Sequence, residues 1–167
     1  GFKMKDYWVW GGSVIKGEDN QYHMFASRWS NKLSFGPHWL TNSEIVRAVA
    51  DKPEGPYSFV EVVLPARGRE YWDGLMTHNP TIEKVGDTYL LFYIGTTYNG
   101  HIPTSKNQAS EVQRKEARAN QRIGLATAKS IKGPWQRQET PIIEPREDKW
   151  DALFTANPAP CILDDGS

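Results

Sequence analysis

Residues 122–135 read RIGLATAKSIKGPW, and residues 44–57 read EIVRAVADKPEGPY. Laid over one another, Ile45 meets Ile123, Ala50 meets Ala128, and Gly55-Pro56-Tyr57 meets Gly133-Pro134-Trp135, each pair 78 residues apart. The same spacing carries Trp72-Asp73 onto Trp150-Asp151, Thr77 onto Thr155 and Asn79-Pro80 onto Asn157-Pro158. Agreement in one register without a gap marks a repeated structural unit.

A third, partial copy lies upstream. GGSVIKGEDNQYHMF (11–25) resembles NPTIEKVGDTYLLF (79–92), with one residue added at the turn and Gly11-Gly12 where the others have Asn-Pro. Within the second copy, TIEK, a Gly86-Asp87 turn and TYLLFYIG predict a hairpin. RIGLATAKS supplies a third strand, and a last one follows Gly133-Pro134. Repeated antiparallel sheets with no helix between units predict blades of an all-β propeller; a β-sandwich gives no reason to repeat a whole sheet with its turns in register. The units run over about residues 8–78, 79–156 and 157–167 of one partial domain (1–167), giving two blades and the start of a third. Asp165-Gly166 reads as the next hairpin turn, so the rest of the propeller is expected as further sequence or another chain.

Residues 110–121 (SEVQRKEARANQ) predict a surface helix, since Ser110 and Gln113 have the spacing of a capping box. It lies in an insertion between the second and third strands of the second unit, which makes residues 96–109 candidates for a pocket wall.

Twenty basic and twenty acidic residues leave no net charge, so nothing favours nucleic acid or an anionic membrane. The longest apolar runs have the length of strands, too short to span a bilayer. The single Cys161, between Pro160 and Ile162, reads as a small buried apolar side chain. His23, His38, His78 and His101 show no metal-ligand spacing. Seven Trp, seven Tyr and six Phe suit sheet packing, and equally the flat faces on which pyranose rings stack.

The succession of an X-Pro strand, a Gly-Asp turn, TYLLFYIG, RIGLATAKSIKGPW and a second X-Pro strand ending in Asp-Asp-Gly resembles glycoside hydrolase family 43 and its five-bladed relatives in families 32, 68 and 117. The likeness runs from residue 8 to 167. It implies a five-bladed propeller with a pocket on the axis, hydrolysis of plant or algal oligosaccharides and a periplasmic or secreted location. A hard cation such as calcium in the central channel is compatible with it, although no motif marks one. In those relatives carboxylates at the heads of the inner strands perform the hydrolysis. Here the three heads are Gly11-Gly12, Asn79-Pro80 and Asn157-Pro158, and an amide cannot take a proton from water. Carboxylates on other blades, other residues in their place, or a propeller that binds sugar without cleaving it all remain open.

The copies also sort the residues. Asp73 and Asp151, and Asn79 and Asn157, hold matched registers and read as parts of the unit, though both Asn side chains stand where a sugar hydroxyl could be bound. The position before the Asn varies: Trp10, His78, Ala156. His78 is therefore the candidate for proton transfer, in a hydrolase or in a sugar-active lyase, and Trp10 for stacking. Arg28 and Trp29 also escape the repeat, since Gly95 and Thr96 take their places; Arg28 would suit an acidic sugar. His101 in the insertion completes the set, and Glu44 is a spare carboxylate at a strand start.

Overall fold

A computed structural model describes residues 1–163 of the chain; the Asp165-Gly166 turn lies outside them. The first sheet is β1 (Tyr7–Lys16), β2 (Tyr22–Ser30), β3 (Glu44–Ala50) and β4 (Ser58–Leu64), antiparallel and in chain order. The second repeats it as β5 (Met76–Val85), β6 (Thr88–Thr96), β7 (Arg122–Ala128) and β8 (Gln136–Arg137), the last extended by an Ile123–Ile143 bridge. Each sheet carries a helix between its second and third strands: α1 (Phe35–Asn42) and α2 (Glu111–Ala119). The capping box of α2 forms, with Ser110 Oγ accepting from the Gln113 amide and Gln113 Oε1 from the Ser110 amide. Neither helix is long and apolar enough to cross a membrane.

α1 was not foreseen, because FGPHWLTN is short, contains a proline and is broken at Gly36, which is extended. Cys161 departs from expectation too: it is exposed, since the segment around it is irregular and nothing packs over it among the described residues.

The main core lies between the sheets. Phe25, Ile45 and Leu64 of the first meet Ile82, Leu91, Tyr93 and Ala126 of the second. Thr77 staples the two units: its hydroxyl accepts from Ile45 N at 3.2 Å and donates to Leu64 O at 2.9 Å. Thr155, 78 residues on, accepts from Ile123 N at 3.2 Å and donates to Ile143 O at 3.0 Å. The sequence repeat is thus a repeat of hydrogen bonds between units.

The segment between the sheets is anchored likewise. Trp72 stacks on Tyr93 at 5.9 Å and lies so close to β6 and β7 that a Cβ on Gly95 or Gly124 would meet it at 2.7 Å or 2.5 Å. Asp73 is fully buried; Arg67 Nε lies 2.6 Å from Oδ1, while Oδ2 receives Tyr93 OH at 2.7 Å and Arg137 Nη1 at 3.3 Å. Burial and the Asp73 charge together push the Tyr93 phenol upward. The structural reading of Asp73 stands, with charged partners in place of backbone amides. Among the described residues Asp151 keeps only Arg146, at 2.9 Å, and Trp150 is 91% exposed.

A carboxylate also clasps the outer edge. Glu18, in the β1–β2 turn, accepts from Ser130 Oγ (2.6 Å), Ile131 N (3.1 Å) and Tyr89 OH (2.6 Å). Burial opposes its ionisation, but these hydrogen bonds prevail and bring its pKa from 4.5 down to about 2. A carboxyl depressed in the folded state stabilises above its unfolded pKa and loses that contribution as pH falls through the folded one. Wild type should therefore lose more thermal stability than Glu18→Gln on going from about pH 5 to pH 2. Parallel melting curves in that window would remove the clasp.

Candidate functional site

The residues that head β1 and β5 are bulged. Pairing with the neighbouring strand slips between Trp10 and Ser13, and between His78 and Thr81. At the bulge the backbone turns left-handed, with φ of 60° at Gly11, 46° at Asn79 and 55° at Asn157. Glycine adopts that region freely and Asn more readily than other residues, which explains why the three copies carry these types. Asn79 donates to Asn157 Oδ1 at 2.7 Å, and its own Oδ1 lies 2.7 Å from where a Cβ on Gly11 would stand. The three heads therefore sit side by side, and a hollow of about 520 Å³ runs past them.

At one end of this hollow is a cavity of about 420 Å³ that Trp10, Trp29, His78, Asn79 and Asn157 line. Both inserted helices reach it: α1 brings Phe35 and Trp39, and α2 brings Arg118. The rings form a continuous wall. Phe35 meets Trp10 edge-on at 5.4 Å and lies tilted against Trp29 at 5.1 Å; Trp29 meets the His78 ring at 5.8 Å, and His78 stacks on Trp39 at 4.8 Å. Trp10 is half exposed, whereas Trp29 and His78 are buried.

His78 hydrogen-bonds Ser43 Oγ through Nδ1 at 2.9 Å. Burial pushes its pKa down to about 3, so the imidazole is neutral at neutral pH and has no imidazolium proton to give there. Its geometry suits a fixed hydrogen-bonding partner of a hydroxyl.

Three other candidates lie elsewhere. Arg28 does not line the cavity; it pairs with Glu44 at 2.7 Å and lies over the Tyr7 and Phe59 rings. Glu44 is thus not spare. His101 is exposed, its Nε2 3.2 Å from Asn107 O, and residues 96–109 contribute nothing to the cavity wall. The insertion reaches the cavity through α2 instead. Sequence reasoning also missed Phe35, Trp39, Arg118 and Gln121.

Among the described residues the cavity lining contains no Asp or Glu, and no group of three or more His, Cys, Asp or Glu comes together to hold a metal ion.

No protein-family model and no curated sequence matches the chain. Solved structures do. A family 117 glycoside hydrolase of the marine bacterium Zobellia galactanivorans superposes with a TM-score of 0.73 at 15% identity, over 95% of this chain and 46% of that one. The fold is that of the propeller glycoside hydrolases. A family 43 β-xylosidase/α-arabinofuranosidase from a compost metagenome follows with a TM-score of 0.60 and 17% identity, over 95% of this chain and 40% of that one. A family 43 enzyme of Xanthomonas citri gives 0.54 and 14%, over 83% and 34%. This chain spans less than half the length of those proteins.

Proposed function

We propose that the chain is the sugar-holding part of a five-bladed propeller glycoside hydrolase acting on plant or algal oligosaccharides, with the aromatic cavity as its pocket. One observation carries the reading: residues that escape the repeat, Trp10 and Trp29 of the first sheet and His78 of the second, line one cavity. Trp10, which alternates with nothing equivalent in the other copies, presents a half-exposed ring for stacking against the apolar face of a pyranose. His78, held by Ser43, offers Nε2 to a hydroxyl, and Asn79 and Asn157 bring their amides to the same cavity. The same fold in the family 117 and family 43 structures supports the enzyme class.

Hydrolysis of a glycosidic bond takes an acid and a base or nucleophile, usually two carboxylates flanking the bond. The described lining supplies neither, so in this reading they stand on blades outside this chain. That same lack favours a second reading, a propeller that binds saccharide without cleaving it. In a lyase with His78 as the proton-transfer group, the neutral ring would serve as the base, since it carries no imidazolium proton. Polymeric substrates imply a periplasmic or secreted setting.

Incubating the complete protein with a panel of plant and algal oligosaccharides separates these readings. Released reducing ends support hydrolysis, with His78→Ala lowering turnover by about a hundredfold if the ring touches the reacting sugar. Binding without product supports the second reading. Neither binding nor product with any sugar overturns both.

A further inference from the structure

The lining of the cavity is unbalanced in charge. Among the described residues its ionisable members are His78 and Arg118, and it has no acid. Arg118, in the last turn of α2, is half-buried; its guanidinium lies 5.0 Å over the Trp39 ring and 5.5 Å from Phe154, and its side chain donates no hydrogen bond to any described residue. Arg28 pairs with Glu44, Arg47 with Glu61, Arg67 and Arg137 with Asp73 and Arg122 with Glu144, whereas Arg69 donates to the Tyr98 and Gly100 carbonyls and Arg114, outside this cavity, meets no carboxylate among the described residues. Arg118 is kept at the cavity without such a partner.

Gln121 is the second observation. It is fully buried, lines the same cavity, and neither its Nε2 nor its Oε1 has a hydrogen-bond partner. The repeat shows why. Gln121 holds the register of Ser43, as their carbonyls confirm: Ser43 O accepts from Thr77 N at 3.1 Å and Gln121 O from Thr155 N at 3.2 Å. In the first unit the Ser43 hydroxyl finds His78. In the second, the position of His78 is Ala156, which has no polar side-chain atom, so the Gln121 amide is left facing the cavity. A buried amide without a partner is costly unless something supplies one.

We propose that this end of the cavity recognises an anionic group on the bound sugar, a carboxylate or a sulfate ester, which Arg118 grips with its planar fork while Gln121 donates to the same oxygens. The proposal rests on the saccharide reading above. Aromatic flanks exclude water around the guanidinium and strengthen the pairing, and a stacked ring leaves its acidic substituent free to point at α2. A neutral sugar satisfies the amide and leaves the arginine charge unmatched.

Calorimetric titration of the protein with D-galacturonate, D-galactose 6-sulfate and D-galactose tests it on one ring type. At least one acidic sugar should bind about tenfold or more tighter than galactose, the effect of a hydrogen bond to a charged group. Which of the two does so separates carboxylate from sulfate. Arg118→Met, which keeps the side-chain length over Trp39 and Phe154, should abolish that preference, and a thermal melting curve matching wild type checks that the variant still folds. Equal binding of acidic and neutral sugars, or a preference that survives Arg118→Met, overturns the anion site and leaves the saccharide reading standing. Absence of binding by all three sugars and by neutral oligosaccharides removes both.

Discussion

Asp73→Asn should destabilise the chain by about 3–5 kcal/mol, whereas Asp151→Asn, at the equivalent register, should cost less than about 1 kcal/mol. The two residues follow a tryptophan in the same repeated sequence, yet their surroundings differ. Asp73 is completely buried between Arg67, Arg137 and Tyr93, so removing its charge leaves two largely buried guanidinium groups uncompensated, the expensive way to break an ion pair. The asparagine also fits poorly beside the guanidinium groups, because Gly95 gives no room to shift: a Cβ there would already stand 2.3 Å from Asp73 Cβ. Among the described residues Asp151, itself 10% exposed, meets only Arg146, which is 61% exposed, and a pair with one partner in solvent contributes little. Urea unfolding of the two variants measures the difference directly. Equal losses would mean that the interface between the sheets does not depend on this cluster.

His78 should make the fold acid-sensitive well above the range in which carboxylates titrate. Burial holds its pKa at about 3, against 6.5 for an ordinary histidine. Below pH 6.5 the unfolded chain takes up a proton at this residue and the folded one does not, so stability falls with pH until the folded pKa is reached. Each unit in that window costs about 1.4 kcal/mol, or about 2 kcal/mol between pH 6.5 and 5. His38, depressed mainly by burial, acts in the same direction. His78→Gln should recover most of the loss between pH 6.5 and 5, while the Glu18 clasp governs the more acidic window. Identical pH slopes for wild type and His78→Gln in urea melts would show that the imidazole is hydrated or charged in the folded protein.

Most of the architecture was readable because the repeat is gapless. Once Ile45 and Ile123 share a register, Thr77 and Thr155 must make the same staple, and they do. The Asn-Pro heads were recognised as part of the unit, but the reason, a left-handed bulge, is a backbone property that residue types only hint at. The departures have equally local causes. Arg28 looked available because its partner, Glu44, lies across a strand pair; Arg28 and Glu44 are direct cross-strand neighbours, a pairing open to anyone who had carried the hairpin register one strand further. Trp39 and Arg118 sit on helices that the 78-residue register does relate, since α1 shifted by 78 overlaps α2, but FGPHWLTN, short and broken at Gly36, does not read as a helix, so the match was hidden. Gln121 carried a usable signal: it matches Ser43 at 78 residues while His78 matches Ala156, so the second unit has the donor without its acceptor.

The central claim is that the two blades converge on one saccharide pocket, and it can be tested by recording the tryptophan indole N–H resonances of the protein while oligosaccharide is added. The account predicts that Trp10 and Trp39 move together and saturate at one sugar concentration, while Trp150, which is exposed and does not line the cavity, responds less. Shifts confined to Trp150, or indole signals of Trp10 and Trp39 that stay fixed while sugar binds, would contradict it.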